Sequence, residues 1–186
     1  MKKILLISGL FILVAIVAIA FYRYNNTKSY SPESATTFED GDLTITIFYN
    51  RPFKKGRVIF GGLVPYGKTW RTGANEATVI ETNKDLILGG KILKMGRYSF
   101  WTVPNEQSWT VVFNSKIPRW GIDVMKHGEA ARETQYDVLV FDVPAMITQK
   151  EFEQFTLAVE KSDDMLELFI AWDKTVVVVP LSVIAQ

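Results

Sequence analysis

Leu86-Ile87-Leu88-Gly89-Gly90-Lys91-Ile92-Leu93 decides how the rest of the chain is read. Two short apolar runs flank paired glycines, which supply the positive φ that a two-residue hairpin turn of the primed types requires. Working outward, further strand signals lie on both sides. Leu43-Thr44-Ile45-Thr46-Ile47 alternates apolar and polar residues, the period of a half-buried strand. Arg57 to Phe60 and Ala77 to Thr82 read as short strands, and Met95-Gly96 turns the chain into a strand from Arg97 to Val103. Pro104-Asn105-Glu106-Gln107-Ser108 is a loop of turn-forming residues, after which Trp109 to Phe113 is rich in β-branched and aromatic types. Strands are expected again at Tyr136 to Val143, Phe155 to Val159 and Leu166 to Trp172. Thr175 to Val179 is continuously apolar, which predicts a central strand, with Pro180 at its end because proline removes a ladder donor. Between Lys116 and Glu133 the pattern breaks, and a short helix or irregular excursion is expected there. The reading is an all-β domain, a single antiparallel β-sandwich of jelly-roll type with about ten strands.

Ahead of that domain the composition changes. Met1-Lys2-Lys3 is followed by an uncharged run from Ile4 to Tyr22, closed by Arg23. As a helix those 19 residues would span roughly 28 Å, close to the hydrocarbon thickness of a bilayer. Tyr22 and Tyr24 stand where interfacial aromatics are found, and Lys2, Lys3 and the amino terminus outweigh Arg23 and Lys28. The N-terminus is therefore expected to stay cytoplasmic and the remainder to be exported. Two fates stay open. Ile4 to Tyr22 is either a retained single-pass anchor in the bilayer of a bacterial inner membrane, with the domain in the periplasm, or a signal cleaved after Ala20. Residues 1–24 are thus anchor or signal, 25–37 with Ser31-Pro32 read as a polar linker, and 38–186 form the β domain.

A chain of 186 residues has room for one ordinary domain. Its formal net charge of +1 argues against a nucleic-acid partner, which calls for a clustered basic excess. The charge is uneven, however: 17 basic and 9 acidic side chains precede Glu129, and 4 basic and 11 acidic ones follow from there. The absence of cysteine excludes disulfides, thiol catalysis, Cys-ligated zinc and iron–sulfur clusters. His127 is the single histidine, so there is no multi-histidine metal site and no HExxH pairing; neither a metal nor a cofactor is expected. A Ser-His-Asp arrangement would have to use His127, which no GxSxG elbow accompanies. The carboxylate pairs Asp40/Asp42, Glu151/Glu153 and Asp163/Asp164 look like turn or edge residues.

The stretch from Gly61 to Thr78 is the place where chemistry is concentrated. It is a long connection between short strands, and long ordered loops are disproportionately functional. Arg71 offers a planar fork of donors suited to a carboxylate or phosphate. Tyr66 and Trp70 offer flat faces for sugar rings or cations, and Asn75 and Glu76 offer fixed donors and acceptors. Trp120, in the irregular Pro118-Arg119-Trp120-Gly121, is a candidate lip of the same pocket. The alternative is internal bracing: Arg71 paired with Glu76, Asn75 capping the turn beside Gly73, and Trp70 filling the core, because a loop's buried backbone groups need partners. No acid occurs from Asn50 to Gly73, so Arg51, Lys54, Lys55, Arg57, Lys68 and Arg71 form either a solvated face or a surface for anionic head groups and polymers.

Gly56 to Gly67 (GRVIFGGLVPYG) and Trp70 to Thr78 (WRTGANEAT) resemble the signature of an exported bacterial family known as DUF2911, a domain of unknown function. The resemblance continues through Gly96-Arg97-Tyr98-Ser99-Phe100, Trp120-Gly121 and Trp172-Asp173-Lys174-Thr175 and covers about Phe38 to Val183. It implies an all-β exported domain with no assigned activity and brings no catalytic residues with it. Three functions remain in view. The first is a tethered binding module for a small polar ligand, glycan or exported peptide. The second is an assembly partner pairing through a sheet edge, and the third a hydrolase or isomerase with Glu76 as general base and Arg71 or Asn75 steadying negative charge.

Overall fold

The computed structural model of the protein describes residues 2–163 and 165–184. The first element is a helix, α1 (Lys2–Tyr30). Nothing interrupts it until Pro32, whose ring drives the preceding Ser31 out of the helical region. In its last turns the Thr27 and Ser29 hydroxyls donate to the carbonyls of Arg23 and Asn26, at 2.8 and 2.7 Å. The side chains from Ile7 to Arg23 are all exposed, and Ile7–Tyr30 is long and apolar enough to cross a membrane.

Residues 25–37 are not a linker. The helix consumes the first part, and β1 (Glu33–Asp40) consumes the rest. Apart from Phe38, which packs on the core, the residues of β1 are small or polar, which hid it from a hydrophobic pattern. It pairs over its whole length with β2 (Leu43–Asn50) across a two-residue turn at Gly41-Asp42. The other strands are β3 (Val79–Thr82), β4 (Leu86–Leu88), β5 (Lys91–Leu93), β6 (Gly96–Val103), β7 (Ser108–Asn114), β8 (Ile122–Asp123), β9 (Glu129–Ala130), β10 (Asp137–Ser162) and β11 (Met165–Val183). The glycine hairpin stands as expected, with Leu88 opposite Lys91 and Gly89 and Gly90 at φ 56° and 73°. Arg57 to Phe60, by contrast, is a run of turns. The amides of Gly61, Leu63 and Val64 bond to the carbonyls of Val64, Val58 and Ile59, so the segment is satisfied locally.

The domain is antiparallel β, but its strands form one large sheet in the order β1-β2-β3-β6-β7-β10-β11-β4-β5, beside a separate β8-β9 hairpin. The three strands expected between Tyr136 and Trp172 and the last one at Thr175 to Val179 are two continuous strands, β10 and β11. β10 pairs with β7 up to Pro144 and with β11 from Ala145 onward, with register shifts between Ile147 and Thr156. A strand that serves two neighbours in succession joins what would otherwise be two sheets. Pro180 is not a strand end: it falls between Val177, the last residue registered against β10, and Leu181, the first against β4. A missing amide is tolerated at such a change of partner.

The sheet curls over itself. Tyr49 of β2 and Phe155 of β10, four places apart in strand order, meet edge to face at 5.7 Å between ring centroids. A single core results, with Ile45, Ile47, Phe100, Val111, Phe113, Leu139, Leu168, Trp172, Val177 and Val179 all buried in it. On the other face Ala77, Trp101 and Val112 are covered by Ala130 and Ala131 of the 116–133 excursion. That excursion holds one short 3-10 turn (Val124–Lys126) and the β8-β9 hairpin.

Candidate functional site

The loop before β3 is built by hydrogen bonding within itself and to β6. Trp70 exchanges two backbone hydrogen bonds with Thr102, at 2.7 and 3.0 Å. The Thr78 hydroxyl donates to the Thr72 carbonyl at 2.7 Å, and the Trp70 indole donates to the Gly73 carbonyl at 3.1 Å. Thr72 and Asn75 are held at φ 50° and 58°, a left-handed conformation that non-glycine residues seldom adopt. Gly73, at φ 150°, leaves little room for a side chain, because a Cβ would lie 3.0 Å from the Thr78 hydroxyl and 3.1 Å from the Asn50 carbonyl oxygen. Asn75 is buried and reaches the Ser31 carbonyl and the Asn50 side chain, at 3.5 and 3.4 Å. It therefore braces the loop against the start of the domain.

Trp70 is a core residue. It stacks on Trp172 at 5.9 Å and meets Phe155, Phe60 and Trp109 edge to face. Tyr66 lies elsewhere, 40% exposed beside the Asn105–Ser108 loop. Trp120 is half-buried and lines neither the cleft that Glu76 lines nor the one that Arg71 lines. His127 is exposed and terminates a 3-10 turn at φ 54°. Of the carboxylate pairs, Asp164 lies outside the described residues. Glu151 pairs with Lys54, and Asp40 and Asp42 with Lys161 and Lys84.

Arg71 and Glu76 do not pair. Glu76 accepts hydrogen bonds from Lys28 at the end of α1, at 2.5 Å, and from the Asn50 amide, at 2.9 Å. It lines a cleft with Phe48, Val79 and Arg119, apart from the one lined by Arg71. Burial alone would raise its pKa. Hydrogen bonds from Lys28, its own backbone amide and Asn50 outweigh burial and hold the carboxyl below the ordinary glutamate range. The sign follows. The Glu76 contribution to stability is complete above its unfolded value of about 4.3 and is lost as pH falls through the lower folded value. Urea denaturation of the parent and of Glu76→Gln should therefore show a gap that closes as pH is lowered from about 7 to about 3. A gap independent of pH would mean that the carboxylate is not held as an ion.

Arg71 has the opposite environment. Its stem crosses Gly121, where a Cβ would lie 2.3 Å from the arginine Cδ, so only glycine leaves space for it. The Gly121 amide is anchored to the Asn75 carbonyl at 2.9 Å, which holds the excursion against the loop. The Arg71 Nε is buried without a hydrogen-bond partner, and no ion pair to this residue occurs among the described residues. Burial pushes its pKa down. A guanidinium left this way is costly, since buried charges are normally paired.

It lines a cleft of about 500 Å³ whose walls include Trp70 and Trp172, Lys55 and Arg57, and Tyr30 and Ser31. No acidic side chain lines that cleft. The Trp172 indole nitrogen is likewise buried and unpartnered. Of the six residues expected to form a site, Trp70, Arg71 and Asn75 share this cleft, while Tyr66, Glu76 and Trp120 do not. Lys55 and Arg57 were visible in the acid-free run before Gly73. Trp172 had no such signal, because it arrives a hundred positions later on β11.

Neither a curated protein nor a solved structure matches this chain. Residues 31–181 match the family described as "Protein of unknown function (DUF2911)". The match begins where α1 ends and runs through the Arg71 loop and Trp172 almost to the end of β11. The chain belongs to the DUF2911 family.

Proposed function

We propose that the protein is a non-catalytic binding module that takes a small anionic ligand in the cleft under Arg71, on the outer side of a bacterial inner membrane to which α1 tethers it. The observation that carries this reading is the Arg71 guanidinium, whose buried Nε has no acceptor and which makes no ion pair among the described residues, in a cleft lined by two further cations and no acid. A folded protein seldom keeps a buried charge without a partner unless the partner arrives from outside. Trp172 adds an apolar wall beside these polar groups, the usual mixture of a small-ligand site. Catalysis by Glu76 and Arg71 has less support, because the two line separate clefts and Glu76 is engaged by Lys28 and Asn50. The anionic group can belong to a free metabolite, a glycan or a peptide.

The test is a thermal-shift series on the full chain in non-ionic detergent, with acetate, succinate, sulfate and phosphate added at constant ionic strength. At least one anion should raise the melting temperature of the parent and leave that of Arg71→Met unmoved. The proposal fails if no anion shifts the parent, or if the variant responds equally.

A further inference from the structure

We infer that the group held in this cleft is a phosphate, presented at the point where the N-terminal helix meets the domain. The inference rests on the reading of the cleft as an anion site and adds the ligand's chemistry and its direction of approach. Three cationic side chains line the cleft, Arg71, Arg57 and Lys55, and the Arg57 guanidinium also donates to the Lys54 and Phe53 carbonyls. A carboxylate brings a single charge and two oxygens. A phosphate ester brings between one and two charges and up to three acceptor oxygens, and it suits several donors arriving from different directions.

The lining of the cleft gives the direction. Tyr30, the last residue of α1, and Ser31 line it, and the Lys55 ammonium stands 3.9 Å above the Tyr30 ring. The helix end is fixed there by several independent contacts. Lys28 bridges Glu33 and Glu76, the Arg51 amide donates to the Pro32 carbonyl at 2.9 Å, and Asn75 reaches the Ser31 carbonyl. The cleft therefore lies beside the end of α1, beyond the apolar run that Arg23 closes. With that run in a bilayer, the cleft would lie about 12 Å further along the helix, on the head-group side of the domain. The phosphate has two possible sources: the head group of an anionic phospholipid, or a soluble phosphate ester.

The experiment uses the full chain in nanodiscs of phosphatidylcholine and measures the affinity for glycerol 1-phosphate, inorganic phosphate and succinate. Glycerol 1-phosphate should bind at least about ten-fold more tightly than succinate. The double variant Lys55→Gln/Arg57→Gln, altered only at exposed positions, should lose at least about ten-fold of that affinity. Adding phosphatidylglycerol or phosphatidic acid to the discs separates the sources. If the anionic lipid competes glycerol 1-phosphate away, the occupant is a lipid head group; if it does not, the occupant is a soluble ester. Succinate binding as tightly as the phosphate ester, with dependence on Arg71, would overturn the phosphate inference and leave the anion site standing. Binding of none of the three would remove both.

Discussion

Trp70→Ala should lower the unfolding free energy by about 3–5 kcal/mol, the range for removing a large buried aromatic from a packed core. Phe60, Trp109, Phe155 and Trp172 all contact the indole, and Trp172 lies parallel to it. Truncation would leave a cavity bordered by four rings, at a place where the curled sheet brings β10, β7 and the loop before β3 together. It would also remove the hydrogen bond to the Gly73 carbonyl, which helps hold Gly73 at its φ of 150°. Equilibrium urea denaturation measures the loss. A variant within about 1 kcal/mol of the parent would place the indole outside the core, and Trp70 would then have to be treated as a ligand-facing surface.

Arg71→Met should move stability the other way, by about 2 kcal/mol upward. Methionine preserves most of the unbranched stem that packs over Gly121, and it removes a guanidinium whose buried Nε has no acceptor. An uncompensated buried charge costs about 3–5 kcal/mol, and that range is reduced here because the residue is only half-buried and faces a cleft. Arginine stays protonated throughout the accessible pH range, so the gain should not vary between about pH 6 and pH 9. Alanine is the wrong replacement, because it would combine loss of the charge with a void against Gly121. Denaturation in anion-free buffer checks the prediction. A loss of stability in Arg71→Met would show that the guanidinium has a structural partner. A gain would mark Arg71 as a residue retained at the expense of stability, as binding residues often are.

The two variants also divide the loop that the sequence singled out. In Trp70-Arg71-Thr72-Gly73-Ala74-Asn75-Glu76 the residue types mark a concentration of donors, acceptors and flat faces, and they say nothing of direction. Bracing proved present in it, and the binding proposed here falls to a different residue. Asn75 and Trp70 brace the loop. Glu76 ties it to the end of α1, and Arg71 is left unpaired.

The local chain chemistry by itself determined the apolar helix at the start, the glycine hairpin with positive φ at Gly89 and Gly90, and the dominance of antiparallel strands. These follow from hydrophobic run length, side-chain alternation and glycine's freedom, all of which act over a few residues. Only the tertiary structure decided that β1 exists, since Glu33–Asp40 has no apolar face of its own and is a strand because β2 offers it a ladder. The same holds for β10 and β11. Their continuity through Phe152 and Pro180 comes from an exchange of partners along the strand, and no local propensity records it. The candidate site divides in the same way. The cations of the acid-free run stand in the sequence, but Trp172, Tyr30 and Gly121 reach Arg71's surroundings only because the sheet curls and the excursion folds back across its face. Which charge stays unpaired depends on contacts between distant segments, here Lys28 to Glu76, and sequence spacing carries no information about them.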